Sequence, residues 1–293
     1  LDIRFSNICN FKCRICGPWS SSQWHNDALA LGMKQPGKKA IDKSILQPEA
    51  FWPQIEELVP GLEEIYFAGG EPLMMEEHYH FLEMLHQQQK FDLTLKYNTN
   101  LSVLKLKSWD VIELWRPFKQ VIIAASLDGS GRRGEYQRKN QNWEEVLAIR
   151  DQLGKEVPNL LFLVSPTVNI FNVLHLPDFH REWVSLGYLG PFDLIPSILR
   201  QPAHYAIGIL PATIKRKAQA HIAAHLEWLS AQPAKELAQK EFAMNQWRGI
   251  SNRLVGEGNA AQLREFKSRT QKLDQLRGEK FVEIFPELAS LLD

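Results

Sequence analysis

Six short apolar runs recur along this chain, each about the length of a strand and each closing on Gly, Asn, Ser or Pro. They read "LDIRFS", "EEIYFAGG", "LTLKYNTN", "QVIIAASLDG", "LLFLVSPTVN" and "FDLIPS". Amphipathic segments of helical length separate them. "EAFWPQIEEL" and "MEEHYHFLEMLHQQQ" precede the third run, "NWEEVLAIRDQLG" the fifth and "LPDFHREWVSLG" the sixth. Gly154 is expected to stop the helix before the fifth run. Strands alternating with helices predict an α/β chain with a parallel sheet and right-handed crossovers. Such a sheet is either open and doubly wound or curled into a barrel, and six units fall short of the eight of a full barrel. In both forms ligands gather at the C-terminal ends of the strands. Those ends are polar here: "AGGEP", "YNTN", "SLDG" and "SPTVN".

From Pro211 the strand signals stop. "ATIKRKAQAHIAAHLEWLSAQ", "AKELAQKEFAMNQWRG" and "AAQLREFKSRTQKLDQLRG" read as helices, with Pro233, Gly249, Gly256 and Gly258 in the loops between them. The "KRK" run at Lys215 to Lys217 reads as the solvated start of a helix. The expected division is therefore a core over residues 1–210 and a helical cap or extension over 211–293.

Composition excludes several classes. Lys plus Arg and Asp plus Glu both number 34, so no bulk charge draws the chain to nucleic acid or to an anionic membrane. No apolar run approaches the ~18–20 residues that span a bilayer. The N-terminus has no basic region followed by an apolar stretch, so it is not a signal peptide. It begins directly in strand-like alternation, with Leu1, Ile3 and Phe5 on one face. That abrupt start leads us to expect that an N-terminal part is missing.

All 3 cysteines fall within "CNFKCRIC", spaced C-x3-C-x2-C after the first strand. On one loop, Cys9, Cys13 and Cys16 can turn their sulfurs toward a single point. Thiolates suit zinc or an iron–sulfur cluster. An odd, closely spaced set argues against a disulfide framework. A closed zinc site needs a fourth ligand, for which His25 is the nearest candidate. A four-iron cluster on three thiolates instead keeps one iron open to a small molecule. At the second strand end, Gly69 and Gly70 allow close backbone approach and Glu71 offers an acceptor for an ammonium group. At the fourth, Ser126 and Asp128 could bond ribose hydroxyls, although Asp-Gly is also a common turn pair. Asn98, Asn100, Ser165 and Asn169 are strand-end residues that serve more often as loop formers than as ligands. His78 and His80 lie two apart on a helix and so face different ways.

With Ile15 before its last cysteine, this loop resembles the cluster motif of the radical S-adenosylmethionine (radical SAM) enzymes. "LDIRFSNICNFKCRICGPWSSSQW", "SPTVNIFNVLHLPDF" and "LDQLRGEKFVEIFPEL" extend the likeness from end to end, toward the twitch-domain-containing branch of that group. The resemblance implies a partial, six-unit parallel βα barrel. It implies one site-differentiated 4Fe-4S cluster on Cys9, Cys13 and Cys16, with S-adenosylmethionine at the open iron. Gly69, Gly70, Glu71 and Pro72 match the edge that binds the cofactor's amino group, and Ser126 the residue on its ribose, with Asp128 as second choice. Arg138 matches an arginine facing its carboxylate. Val168 could pack on adenine, and Asn100 and Asn169 could touch cofactor or substrate. The implied activity is reductive cleavage to a 5′-deoxyadenosyl radical that takes hydrogen from a substrate: a peptide, a sugar or another small molecule. An external flavodoxin- or ferredoxin-like donor and a reducing, cytoplasmic setting follow. Members of that branch carry further cysteines for an auxiliary cluster, and this chain has none. A zinc-binding structural protein, or a remnant that binds the cofactor without turnover, are the competing readings.

Overall fold

The computed structural model describes residues 1–33 and 40–293. The chain divides into two compact units, residues 1–126 with 139–163 and residues 127–138 with 164–293.

The first unit is built on a parallel sheet. Its strands are β1 (Asp2–Ile3), β2 (Glu64–Phe67), β3 (Thr94–Thr99), β4 (Gln120–Ala125) and β5 (Leu160–Val164), in that spatial order. The register runs straight across: Phe67 pairs with Ile3 and with Tyr97, and Tyr97 with Ile123. Burial alternates along β3 and β4. Leu95, Tyr97 and Thr99, with Val121, Ile123 and Ala125, are the buried set. Against this face packs the helix Glu76–Gln87, whose Tyr79, Phe81, Leu82 and Leu85 repeat at helical spacing. Phe67 meets Phe81 edge to face at 5.8 Å, within the preferred range of aromatic pairs. Three buried polar side chains here meet in one cluster. Trp115 Nε1 donates to Tyr97 Oη at 2.9 Å, and Tyr97 Oη lies 3.0 Å from His78 Nε2. His78 is therefore a core residue, while His80 is exposed beside Glu83.

Three local expectations are corrected. The helix before β5 runs over Trp143–Glu156, straight through Gly154. Asn142 caps its start by accepting from the Glu144 and Glu145 amides, and Pro158 ends it by forcing Val157 out of the helical region. The first run supplies only a two-residue strand, because the chain then turns into the cysteine loop, bridged at Ser6 to Lys43. The sixth run adds no full strand to the sheet. Leu194 bridges Val164, and Ser197–Ile198 pairs in parallel with Thr167–Val168 as a separate ribbon. Pro166 and Pro196 interrupt both partners, since neither can donate to a ladder.

The second unit is mainly helical, and from Ala212 every element among the described residues is a helix. The longest span Ala212–Ala231, Leu237–Arg253 and Ala260–Arg277. Gly249, expected in a loop, lies inside the second of these, and Gly278 closes the third in the left-handed region at φ 64°. Lys215 is not solvated: it is 2% exposed, and Nζ donates to the carbonyls of Gly256 and Glu257 at 3.1 and 3.0 Å. Its ammonium thus fastens the loop between two helices. No helix among the described residues is long and apolar enough to cross a membrane.

His180 and His225 form a buried pair in this unit, Nδ1 to Nε2 at 3.0 Å, against Trp228 and Trp247. Burial pushes His180 down to about 3 and His225 to about 2, and Arg181 adds repulsion to both. Both are neutral in the fold at pH 7, whereas the unfolded chain takes up protons below about pH 6.5. Their contribution is complete above that pH and shrinks as pH falls toward the folded values. Each should cost about 1.4 kcal/mol per pH unit below it. Denaturant unfolding between pH 7 and 5 should show this loss, and His225→Gln should flatten the slope. A slope unchanged by the substitution would count against the pair as its source.

Candidate cluster and cofactor site

The cysteine loop follows β1, and its anchoring explains its shape. Asn7 Nδ2 donates to the carbonyls of Pro18 and Ala40 at 2.8 and 3.0 Å, and Asn7 Oδ1 accepts from the Asp42 amide at 2.9 Å. Ser21 Oγ donates to the Phe11 carbonyl, and Trp24 Nε1 to the Cys13 carbonyl at 2.8 Å. Lys12 pairs with Asp27 at 2.8 Å. Together these hold Cys9, Phe11 and Cys13 in one buried cluster, with Ile15 and Cys16 packed on it. The Cys9 thiol is pushed up to about 12, first by burial and then by Cys13, with a smaller push from Glu71. The Cys9 sulfur is therefore protonated in the chain by itself, and binding a metal there would displace its proton.

The second strand end lies directly against this loop. Gly70 N donates to Ser6 O at 3.1 Å, and Glu71 N to Ile8 O at 2.7 Å. Gly69 has φ +119°, which favours glycine, and a Cβ on Gly70 would stand 2.1 Å from Ile8 O. Pro72 follows, opening a short turn over Pro72–Met74. Glu71 is fully buried. Its Oε1 accepts from Thr99 Oγ1 at 2.8 Å and from Leu73 N at 3.2 Å, and its Oε2 from Asn100 N at 2.7 Å. Asn100 also reaches the loop, with Nδ2 3.8 Å from Cys9 Sγ. Ser126 N donates to Thr99 O at 2.8 Å, which sets Ser126 level with these groups at the end of β4.

The remaining sequence-derived residues lie in the second unit. Arg138 Nε stands 2.9 Å from Asp128 Oδ2, both buried, and Asp128 Oδ1 accepts from Thr167 N at 2.8 Å. Val168 and Asn169 are fully buried. Asn169 Nδ2 donates to Thr167 O at 2.8 Å and Oδ1 accepts from Phe171 N at 2.8 Å. Asp128 and Asn169 therefore shape their own loops as well as carrying polar groups.

Sequence reading missed Asn7, Asn10, Thr99, Ser102 and Trp24. The asparagines flanking Cys9 in "SNICN" were an available signal, as were Thr99 and Ser102 on either side of Asn100.

The donor set fits an iron–sulfur cluster. Three thiols share one anchored loop, and Cys9 Sγ receives N–H groups from Phe11 at 3.4 Å and from Asn100. Among the described residues, no three His, Cys, Asp or Glu side chains close on a single ion-sized point.

Three thiols and a buried carboxylate thus lie together at the C-terminal ends of a parallel α/β sheet, where proteins of that architecture bind their ligands. Residues 3–178 match the model of the Radical SAM superfamily, and the chain belongs to that superfamily. It is 27% identical over 112 residues to GTP 3′,8-cyclase of Campylobacter lari, covering 38% of this chain and 30% of that protein. Among solved structures it resembles native anSMEcpe with bound AdoMet, at TM-score 0.53 and 15% identity, over 78% of this chain and 60% of that one. The same protein with AdoMet and a Cp18Cys peptide gives TM-score 0.52 at 16% identity. At these identities the likeness concerns the fold. The chain spans less than two thirds of each of these proteins.

The closeness of Gly70 to the loop is testable. Gly70→Ala should destabilise the chain by about 1–3 kcal/mol, the usual cost of forcing extra volume into a filled site. Gly61→Ala, where a Cβ meets nothing within 4 Å, serves as the control. Denaturant midpoints that move equally would remove the argument.

Proposed function

We propose that this chain is the cofactor-binding part of a radical SAM enzyme, holding one 4Fe-4S cluster on Cys9, Cys13 and Cys16 with S-adenosylmethionine at its open iron. The observation that supports the reading is the path from Glu71 through Asn100 to the Cys9 sulfur, which links the carboxylate to the cysteine loop through one residue. When bound, that pair supplies one-electron cleavage of the sulfonium and, through a 5′-deoxyadenosyl radical, removal of hydrogen from a substrate.

The chain's own residues do the orienting. Thr99, Leu73 and Asn100 fix the Glu71 carboxylate for the cofactor's amino group, with Gly69, Gly70 and Pro72 shaping that edge and Ile15 packing beside the thiols. Ser126 serves the ribose, with Asp128 in support, and Arg138 answers the cofactor's carboxylate. By the sequence resemblance, Val168 packs on adenine, and Asn100 and Asn169 touch cofactor or substrate. The electron comes from a flavodoxin- or ferredoxin-like donor in a reducing, cytoplasmic setting. The names of the relatives point to unlike molecules, a nucleotide in one and a Cys peptide in another. The substrate class is therefore not inherited from either, and likewise the twitch-domain affinity rests on the sequence segments alone.

Anaerobic reconstitution with iron and sulfide should give a brown protein with about four irons per chain. Cys13→Ala should abolish both colour and iron. Glu71→Gln should keep the iron but weaken S-adenosylmethionine binding by about tenfold or more, a loss of at least ~1.4 kcal/mol. A colourless protein carrying one zinc, or iron retained without Cys13, would sink the reading.

A further inference from the structure

We propose that Asn100 is a positioning residue for the Cys9 thiolate, donating a hydrogen bond to its sulfur and thereby raising the reduction potential of the cluster this loop holds. The proposal rests on the cluster reading above and adds a role to it. Asn100 is 6% exposed, and its Nδ2 stands 3.8 Å from Cys9 Sγ. The orientation of that amide is set by a closed ring of three hydrogen bonds. Asn100 Nδ2 donates to Asn10 Oδ1 at 2.8 Å, Asn10 Nδ2 to Ser102 Oγ at 2.8 Å, and Ser102 Oγ to Asn100 Oδ1 at 2.5 Å. Each member donates once and accepts once around the ring, which is part-buried, and a closed network of this kind holds its members in one orientation.

The ring could also run the other way, with all three donors reversed. In that direction the Asn100 oxygen, not its N–H, would lie beside the sulfur. A metal-bound thiolate only accepts hydrogen bonds, so it selects the direction seen here and is repelled by the other. One N–H of Asn100 is spent on the ring and the other is free to point toward sulfur. The main chain of the same residue is committed elsewhere, to Glu71 Oε2 at 2.7 Å. Asn100 thus joins the carboxylate to the sulfur through four covalent bonds of one residue. Outer-shell partners of this kind orient ligands and tune the metal, and hydrogen bonds to cluster sulfurs are among the determinants of potential. A donor on the sulfur stabilises the reduced, more negative cluster.

The test measures potential, not turnover. The full chain and its variants are reconstituted anaerobically, assayed for iron, and titrated with reductant under EPR in the absence of S-adenosylmethionine. Asn100→Asp keeps the size and the acceptor for Ser102 but places an oxygen by the sulfur; its midpoint should move negative. Asn100→Ala should move it negative by less. Ser102→Ala leaves Asn100 in place and only loosens the ring, so it should give a smaller shift of the same sign, and it covers the case in which the Asn100 variants bind no iron. Midpoints equal to that of the parent chain in iron-loaded Asn100→Asp, or in Ser102→Ala if the former fails to load, overturn the proposal alone. A parent chain that takes up no iron overturns the cluster reading and this proposal with it.

Discussion

The contact on which the site depends is the one between the backbone of Gly69–Glu71 and that of Ser6–Ile8. Two amide-to-carbonyl bonds, at 3.1 and 2.7 Å, draw the end of β2 against the entry to the cysteine loop. No side chain fits between them, since a Cβ at residue 70 would overlap Ile8 O. This is why the two motifs, separated by a whole βα unit in sequence, act as one feature in space. Once they are joined, Glu71 is committed to the interior. An isolated buried carboxylate would be costly. Thr99, Leu73 and Asn100 answer it with three hydrogen bonds, and two of those three residues come from the end of the next strand.

Much of this was legible in the sequence. The α/β class, the parallel order of the main strands and the polar strand ends follow from local apolar runs and their punctuation, which need no knowledge of distant contacts. The cysteine spacing and the Gly-Gly-Glu-Pro edge are likewise local. What escaped were roles set by residues far apart. Asn10 and Ser102 are 92 positions apart and meet across one hydrogen bond. His180 and His225 are 45 apart, on different helices, and their pairing has no signature in either segment. Lys215 looked like a solvent-facing charge because nothing nearby in sequence could satisfy it; its partners are the carbonyls of Gly256 and Glu257.

Glycine misled twice in the same way. Gly154 and Gly249 were read as breaks, yet both lie within helices. Each costs about 1 kcal/mol relative to alanine, which tertiary packing overrides. Val146 and Leu153 are buried ahead of Gly154, and Trp247 and Ile250 are buried on either side of Gly249, so apolar packing holds each helix at its glycine. Where glycine does end a helix, at Gly278, it takes a left-handed conformation. The useful distinction is therefore conformational: Gly278 takes a positive φ, and neither Gly154 nor Gly249 does.

The alternation along β3 and β4 carries a last consequence. Parallel sheets are usually covered on both faces, and their strands then read as continuous apolar runs. Here one face is closed by aliphatic and aromatic residues, while Tyr66, Lys96, Asn98, Ile122 and Ala124 on the other are only partly buried. Tyr66, Lys96 and Ile122 stand in one row across three strands, and Lys96 reaches Glu64 at 2.5 Å. Asn98 is one step closer to the strand ends that carry the thiols and Glu71. That face therefore carries polar and ion-paired groups beside Ile122 and Ala124. Covering that face with a wholly apolar surface would desolvate Lys96 and Glu64 with nothing in return, which is why its strands alternate where those of a doubly covered parallel sheet do not.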